Sequence, residues 1–230
     1  MWLAAAPIAA ASTFEISPIR ARLSASHRID ALTLTNVDST PVVVELHAMR
    51  WSQQNGVDTL AEAHGLLATP PVMQIPPHGE QIVRVALRGP ADPSREQSYR
   101  LIFQEVPRAA PRDFNGLRIA LRLSVPVFVA PAHGKAAGDL AWSGEWLPDG
   151  RLRVNATNGG TGHVEVTDFA LRIGSSPTPL PAISSKYVLP GSTISWTLTP
   201  PEGVDRHGAI AIQGHSDQGD FSGDVAVRAS

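Results

Sequence analysis

The amino-acid sequence predicts an all-β protein that is built from two β-sandwich units. Short runs in which apolar and polar residues alternate are separated by Gly, Pro, Asn and Asp turn signals over the whole 230 residues. Apolar residues do not recur with the spacing of an amphipathic helix of about ten residues. The 20 prolines and 19 glycines are spread along the chain and favour many short strands joined by turns.

The first half of the chain contains a regular series of short strands. Phe14–Leu23 opens the folded part, and Pro18, which lacks a backbone donor, restricts this segment to a sheet edge. In the next strand, Ile29–Asn36, Leu32 and Leu34 share one face because strand side chains alternate. The remaining strands of this half are predicted at Val42–Ser52, Leu66–Gln74, Gln81–Leu87 and Tyr99–Val106. This spacing of strands and turns is typical of a β-sandwich.

The most informative segment is Leu117–Pro131. Every odd position from Leu117 to Val129 is a branched aliphatic residue, whereas the even positions carry Arg, Ala, Ser and Pro, with Phe128 as the one large apolar exception. This alternation predicts a strand of about 13 residues, far above the usual length of roughly 5–6, with one continuous apolar face. Pro126 places the strand at a sheet edge or a bulge. A long apolar edge strand recruits other strands, so either the protein tolerates this hazard or the hazard is its function.

A second, smaller all-β unit follows a linker. Residues 132–138 separate the predicted N-terminal domain, residues 12–131, from a predicted C-terminal domain, residues 139–230. Turn signals, such as the Asn-Gly-Gly sequence that begins at Asn158, recur between the strands of the second unit. These strands are predicted at Arg151–Asn158, Val164–Ile173, Thr193–Leu198, Ala209–Gln213 and Asp220–Val227. The two units show no recognisable repeat of each other in sequence.

Composition and motifs argue against several classes of function. A net charge of −2 and a charged fraction of 17% provide no basic surface for nucleic acid. The absence of cysteine excludes disulfides, thiolate nucleophiles and cysteine metal ligands. The sequence lacks Gly-x-Ser-x-Gly and the glycine-rich phosphate loop, and its eight His residues form no His-x-His pair. We therefore predict that the protein is not an enzyme and holds neither a cofactor nor a metal.

The first residues differ from the rest of the chain. Residues 1–11 are small and apolar and end in Ala9-Ala10-Ala11, which resembles the end of a signal peptide whose basic start is missing. A segment of about eleven residues cannot span a bilayer. The sequence therefore predicts an exported protein with the remnant of a signal peptide and no stable membrane insertion. A disordered, Ala-rich start is the alternative interpretation.

Four segments share their pattern and their order with a known protein family. They are an opening strand that ends in an arginine, Phe14–Arg20; a Pro-Pro and Pro-x-Gly strand pair, Ala68–Gly79 and Gln81–Val85; a Tyr…Glu-Val-Pro strand, Tyr99–Pro107; and the last strand of the first domain, Leu117–Pro131. In these segments the sequence resembles the periplasmic chaperones of the chaperone–usher pathway, the PapD-like family that assembles pili and fimbriae. The short loop Pro107–Gly116 and the lack of a cysteine pair resemble the archaic type of this family.

The resemblance implies two immunoglobulin-like β-sandwich domains at an angle, with a cleft between them. In this family a pilus subunit lacks its final strand, and the chaperone lends an edge strand to the open groove. By resemblance, Leu117, Ile119 and Leu121 fill the groove, Leu123 lies at its end, and the later valines belong to the chaperone's own core. A slip of one residue would point polar side chains into the groove, so the register of this donor strand matters.

The family fixes that register by binding the subunit's C-terminal carboxylate between two cations. One cation maps to Arg20, whereas the position of the other, a lysine, is occupied here by Pro126. Folding Tyr99–Val106 back on the last strand about Asp113 brings Arg100 opposite Pro126, to within about two residues. We therefore predict that Arg20 and Arg100 form the anchor, with Arg122 as the reserve candidate. The alternative is that Arg100 and Arg122 are ordinary surface arginines.

The resemblance also implies partners and a location. The protein is expected to act in the periplasm of a Gram-negative bacterium, to bind, fold and cap pilus subunits, and to deliver them to an outer-membrane usher. The free chaperone would hide its donor strand in a self-capping dimer. A structural pilus subunit or adhesin with tandem immunoglobulin-like domains is the alternative, although residues 12–16 are too short for a free donor segment. A secreted β-sandwich hydrolase would need a catalytic cluster that the sequence does not reveal.

Overall fold

The computed structural model describes residues 14–107, 119–174 and 180–227. Within these residues the chain forms strands and turns and no helix, so the predicted all-β class is confirmed. The strands of the first half are β1 (Phe14–Ser17), β2 (Ala21–Leu23), β3 (Ile29–Asn36), β4 (Val42–Gln54), β5 (Val57–Glu62), β6 (Leu66–Thr69), β7 (Val72–Ile75), β8 (Glu80–Leu87), β9 (Gln97–Glu105) and β10 (Arg122–Val129). Those of the second half are β11 (Leu140–Trp146), β12 (Leu152–Asn158), β13 (Val164–Ile173), β14 (Leu180–Val188), β15 (Thr193–Leu198), β16 (Ile210–Ser216) and β17 (Gly219–Val227).

The strands of the first half form two sheets. Their orders are β1-β3-β8-β6 and β2-β10-β9-β4-β5, and β7 pairs with β4. The predicted strand Phe14–Leu23 is divided at Pro18, because β1 belongs to the first sheet and β2 to the second. The predicted strand Leu66–Gln74 is likewise divided at Pro70 and Pro71 into β6 and β7. In both segments a proline that cannot continue the ladder marks the point at which the chain changes sheets.

Alternation along the strands buries one face of each sheet. Leu32 and Leu34 of β3, the pair predicted to share an apolar face, are 1% and 0% exposed. Buried side chains of the other strands complete this core, among them Val83, Val85, Val44, Leu46, Leu101, Phe103, Val125 and Val127. Two sheets that bury facing apolar surfaces in this way form a β-sandwich. Each fully buried aliphatic side chain contributes about 1.5–3 kcal/mol to its stability.

The second half forms a sandwich whose layers are joined by one strand. The strand order is β14-β13-β16-β17-β11-β12-β15. Most of β17 pairs with β16, while Ala226 and Val227 at its end pair with β11. The core contains apolar side chains from both ends of this order, including Val154, Val166, Leu171, Ile194 and Ile212. An aromatic group packs beside them, with ring centroids 5.3 Å apart for Trp142 and Phe221 and 5.3 Å apart for Phe169 and Trp196.

A buried asparagine occupies a similar place in each half, although the sequence shows no repeat. Asn36 ends β3 and Asn158 ends β12, and both side chains are 0% exposed. The amide nitrogen of Asn36 donates to the carbonyl oxygens of Thr40, Ile75 and Pro76 at 2.8–3.2 Å. That of Asn158 donates to the carbonyl oxygens of Gly162 and Val188 at 2.8 and 2.9 Å. Each asparagine therefore fastens the loops beside its strand to the same sandwich.

The described residues divide into two compact units. Residues 14–50, 60–90, 98–107 and 119–129 form the first unit, and residues 51–59, 91–97, 130–174 and 180–227 form the second. The second unit therefore includes two short segments that precede residue 130 in the sequence. The domain limits at residues 131 and 139 stay a prediction, and the predicted signal-peptide remnant at residues 1–11 lies outside the described residues.

Three strands were not predicted from the sequence. The strand β5 has six exposed side chains and therefore no apolar face to reveal it. It follows the turn at Asn55 and Gly56, whose φ angles of 51° and 78° suit a tight hairpin. The strands β11 and β14 were also missed. No helix with the length and apolar character needed to cross a membrane occurs in the described ranges.

Candidate functional site

The candidate donor strand lies beside the last strand of the first sandwich. The strand β10 begins at Arg122, so the predicted strand from Leu117 to Val129 is shorter in the structure. Residues 119–121 precede it without strand pairing of their own, and Leu117 and Arg118 lie outside the described residues. The odd-numbered side chains pass from solvent into the core along this segment: Ile119 is 57% exposed, Leu121 and Leu123 are half-buried, and Val125 is buried. The apolar face therefore continues beyond the sandwich's own core.

Among the described residues, one edge of β10 has no partner strand over most of its length. The strand lies between β9 and β2, and β2 pairs in parallel with Val127–Val129 alone. Among the described residues, no strand pairs with the stretch from Arg122 to Pro126 on the β2 side. This edge can therefore accept a strand from another chain by backbone hydrogen bonding.

The direction of each backbone group on this edge follows from one hydrogen bond. The N–H of Glu105 donates to the carbonyl oxygen of Leu121 at 2.9 Å, so the polar groups of Leu121 point toward β9. Successive residues of a strand point their N–H and C=O groups to opposite sides. The groups of Ala120, Arg122 and Ser124 consequently point to the open edge. The missing N–H of Pro126 falls on the same edge, where the open stretch gives way to pairing with β2.

A second contact holds Leu121 to β9. Its N–H donates to the carboxylate oxygen Oε2 of Glu105 at 3.0 Å, and Glu105 is 8% exposed. In the sequence, Glu105 stands out only as part of the Tyr…Glu-Val-Pro pattern, which predicts no role for it. The contact joins residues 16 apart in sequence, and no local signal in the chain reveals it.

Arg20, the first predicted anchor residue, lies on the face of β10 that is opposite the core. The carbon Cζ of its guanidinium group is 5.8 Å from the centre of the Phe128 ring, which is an arrangement that favours cation–π attraction. Phe128 is 2% exposed and stands beside Arg22 of β2. In the sequence, Phe128 is only an exception to the alternation, whereas in the structure the guanidinium group of Arg20 lies over its ring.

Arg100, the second predicted anchor residue, reaches the same face from β9. It is half-buried and stands opposite Met49 of β4. A regular antiparallel ladder that continues from the bond between Glu105 and Leu121 sets Arg100 opposite Pro126. Pro126 and Phe128 point to the same side of β10, so Arg100 and Arg20 flank one strip of this face. The reserve candidate, Arg122, is exposed on the same face and lies nearer the start of the strand.

A largely buried electrostatic cluster of the second unit is formed around His163. Its Nδ1 is 2.6 Å from Oε1 of Glu96 and its Nε2 is 3.2 Å from Oδ2 of Asp217, and all three side chains are largely buried. Burial works to lower the pKa of His163, but the hydrogen bonds and charges of Asp217 and Glu96 outweigh it and raise the pKa above its usual value. No group of three metal-ligating side chains with suitable geometry occurs in the part of the chain that the structure describes.

A sequence profile identifies the family of this chain. The sequence profile described as "Pili and flagellar-assembly chaperone, PapD N-terminal domain" matches residues 13–135. A search of curated protein sequences finds no match.

Solved structures support the fold over nearly the whole chain. A chain of the CsuC–CsuE chaperone–tip adhesion subunit complex, from archaic chaperone–usher Csu pili of Acinetobacter baumannii, is 20% identical, with 94% of this chain and 100% of that chain covered and a TM-score of 0.72. The CupB2 chaperone of Pseudomonas aeruginosa is 21% identical, with 93% and 100% covered and a TM-score of 0.60. A chain of the Salmonella enterica complex of the SafA pilin with the SafB chaperone is 17% identical, with 96% and 99% covered and a TM-score of 0.62.

These likenesses confirm the predicted fold class of two immunoglobulin-like β-sandwich domains. The family profile spans more than half of the sequence, including the segments that carry Arg20, Arg100 and β10. The chain therefore belongs to the PapD-like family of pilus assembly chaperones.

Proposed function

We propose that this protein is a periplasmic chaperone that binds pilus subunits by donating an edge strand and delivers them to an outer-membrane usher. The open edge of β10 carries this proposal. A subunit that lacks its final strand exposes both an apolar groove and unpaired backbone groups. The stretch from Ile119 to Ser124 offers a complement to each of them, with apolar side chains on one face and free backbone groups along one edge.

The donated side chains supply most of the attraction. Leu117, Ile119 and Leu121 fill the subunit's groove, and Leu123 lies at its end, where the apolar face enters the chaperone's own core. Each aliphatic side chain contributes roughly 1.5–3 kcal/mol when it is fully buried. Three such side chains give on the order of 5–9 kcal/mol, from which the cost of ordering both partners is subtracted.

The arginines fix the register of the complex. Arg20 and Arg100 bind the C-terminal carboxylate of the subunit between them, and Pro126, at the position of the family's lysine, leaves room for Arg100 to take its place. A carboxylate is an acceptor only, and two guanidinium groups supply charge-assisted donors from either side. Because the carboxylate marks the end of the subunit chain, binding it sets which residue of the subunit meets each residue of β10.

The reaction that follows needs no catalytic group. The chaperone holds the subunit in a folded state that can still exchange strands, and an incoming strand replaces β10 at the usher. Free chaperone covers its donor strand by pairing with a second copy in a self-capping dimer. The proposed domains are residues 12–131 and 139–230, and residues 1–11 carry the apolar, Ala-ending pattern of an export signal.

One substitution in the donor strand tests this function. In Ile119→Arg the new charge points into the groove, whereas in the matched control Ala120→Arg the same charge points to the opposite face. The tagged chain is expressed in its host, and the cognate subunit is defined as the small β-rich protein that co-purifies from the periplasmic extract. We expect Ile119→Arg to fold normally by circular dichroism but to lose the subunit, while Ala120→Arg retains it. Normal capture by Ile119→Arg contradicts the proposal.

A further inference from the structure

We propose that Glu105 is a positioning residue that fixes the point at which the donor segment leaves the chaperone's own sheet. The inference rests on the function proposed above and deepens it, because the exit point decides which side chains the subunit receives. Glu105 does not touch the subunit in this account. It acts through the backbone of Leu121.

Glu105 holds Leu121 with both its main chain and its side chain. Its N–H donates to the carbonyl oxygen of Leu121 at 2.9 Å, and its carboxylate accepts the N–H of Leu121 at 3.0 Å. In a regular antiparallel pair, that N–H would donate to the carbonyl oxygen of Glu105. Here the side-chain nitrogen of Gln104 donates to this carbonyl oxygen at 3.3 Å, so the carboxylate has taken over the role of the main-chain acceptor.

The carboxylate extends the reach of β9 at the position where the two strands separate. The strand β9 ends at Glu105, and β10 begins at Arg122, one residue beyond Leu121. Glu105 itself is held from the other side, since it stands opposite Val44 of β4 and the N–H of the next residue, Val106, donates to the carbonyl oxygen of Val43 at 2.8 Å. Leu121 is therefore tied to a residue whose backbone is already fixed in the sheet.

Burying a carboxylate is costly unless it is hydrogen-bonded, so the choice of Glu at this position needs a physical reason. An apolar residue would pack equally well beside Phe103 on the same face of β9 but would leave the N–H of Leu121 without an acceptor. A partly buried donor without a partner destabilises the arrangement that contains it. Glu105 removes that penalty and favours the one geometry in which Leu121 adjoins β9.

The consequence for binding is a defined set of donated residues. With Leu121 held, Ile119 is two residues beyond the last described bond to the chaperone's own sheet. Ile119 then lies on the apolar face in a fixed position relative to Arg100, which β9 also carries. Without this bond the segment before Arg122 has no described pairing to hold its register, and the match between the apolar face and the anchor is lost.

Two variants of similar size distinguish a positioning role of Glu105 from a packing role. Glu105→Gln keeps an oxygen acceptor at the same distance, whereas Glu105→Met keeps an unbranched side chain of similar length without a comparable acceptor. In the free chain we expect Glu105→Met to raise the exchange rate of the Leu121 amide and to weaken the affinity for the co-purified subunit by about 10- to 100-fold, the range expected for one hydrogen bond to a charged group. Glu105→Gln is expected to keep the exchange rate of the Leu121 amide and the affinity for the subunit close to those of the wild type.

The result that overturns the inference is a Glu105→Met variant that keeps both the exchange rate of the Leu121 amide and the affinity of the wild type. A Glu105→Gln variant that fails as badly as Glu105→Met in affinity, with the same melting temperature, also overturns it. If Glu105→Met gives such a result while Ile119→Arg abolishes capture in the same assay, the role of Glu105 is refuted and the proposed function stands. If Ile119→Arg captures the subunit normally, the proposed function itself has failed.

Discussion

Two arginines from distant parts of the sequence reach one face of the same sheet. Arg20 follows the proline that directs the chain from β1 to β2, and its guanidinium lies over Phe128. Arg100 lies within β9, on the side that faces away from the core, because its neighbours Tyr99 and Leu101 are buried. Half-burial of both side chains restricts their rotamers, and this lowers the entropy lost when a carboxylate binds.

Loss of either arginine is expected to weaken subunit binding. In Arg20→Ala or Arg100→Ala the carboxylate loses charge-assisted donors, each worth about 1.5–3 kcal/mol, so the affinity should fall by roughly 10- to 100-fold. Titration calorimetry with the co-purified subunit measures the change. The matched control is Arg84→Ala, which removes an exposed arginine from the other sheet of the same sandwich.

The affinity of Arg84→Ala should equal that of the wild type. Unchanged affinity in both Arg20→Ala and Arg100→Ala rules out the clamp. A loss in Arg122→Ala that exceeds the loss in Arg100→Ala would transfer the second anchor to the reserve candidate.

His163 makes the stability of the second unit depend on pH. A neutral imidazole has one N–H donor, yet both ring nitrogens of His163 face carboxylate oxygens, so only the protonated ring satisfies Glu96 and Asp217 together. The raised pKa means that the folded unit holds this proton more tightly than the unfolded chain. The stabilisation is fully present below the unfolded value of about 6.5 and is lost as the pH rises through the folded pKa.

We therefore expect the free energy of unfolding to decrease as the pH rises above about 6.5 and through the raised pKa of His163, apart from the contributions of other groups. In His163→Gln the part of this decrease in the free energy of unfolding that comes from His163 should disappear. The control is His215→Gln, because His215 also adjoins a carboxylate, Asp168, but its side chain is 64% exposed and screened by solvent. Urea unfolding followed by tryptophan fluorescence gives the values. Equal pH dependence in wild type and His163→Gln would refute the role of this cluster.

At the scale of elements, alternation predicts a strand when one of its faces is buried. The strands β3, β4, β8 and β9 were predicted to within a few residues because their apolar residues recur at every second position. The strand β5 has only exposed side chains, so its pairing depends on the neighbouring β4, which a local pattern does not contain. The prolines predicted sheet edges but not the sheet to which the chain continues after them. Pro18 suggested an edge, whereas the change of sheet at this point depends on tertiary packing.

The candidate site shows the same division between local and distant signals. The apolar face from Ile119 to Val129 could be predicted because it is a property of one segment. The position of Arg100 relative to Pro126 could be estimated because both belong to neighbouring strands that follow each other in the sequence. The carboxylate of Glu105 and the ring of Phe128 could not be assigned roles, because their contacts with Leu121 and Arg20 depend on how the strands pack.

The backbone of the open edge provides a prediction for the donor strand as an element. In Ala120→Pro the N–H that points to the open edge is removed, while the bonds of Leu121 to β9 remain. We expect this variant to melt within a few degrees of the wild type but to dissociate faster from the subunit, since one backbone bond across the interface is missing. Surface plasmon resonance measures the dissociation rate. An unchanged rate would show that the guest strand does not pair at this position.

At the scale of the whole molecule, different parts of the chain supply stability and function. Each unit buries its own core, and the odd-numbered side chains of β10 from Val125 onward belong to the core of the first unit. The residues before Val125 contribute little to that core, so their side chains can be selected for binding rather than for stability. This separation explains why a charge at Ile119 is expected to leave folding intact, although a charge at Val127 would not.

The most direct test of the central claim is amide hydrogen exchange, measured by NMR for residues 120–124 at concentrations where the free chain is monomeric. In the free chain, the N–H groups of Ala120, Arg122 and Ser124 should exchange rapidly, while that of Leu121 is protected by Glu105. On binding the subunit, the three even-numbered amides should become protected and Leu121 should change little. Protection of the even-numbered amides in the free monomer, or their continued rapid exchange in the complex, would contradict strand donation.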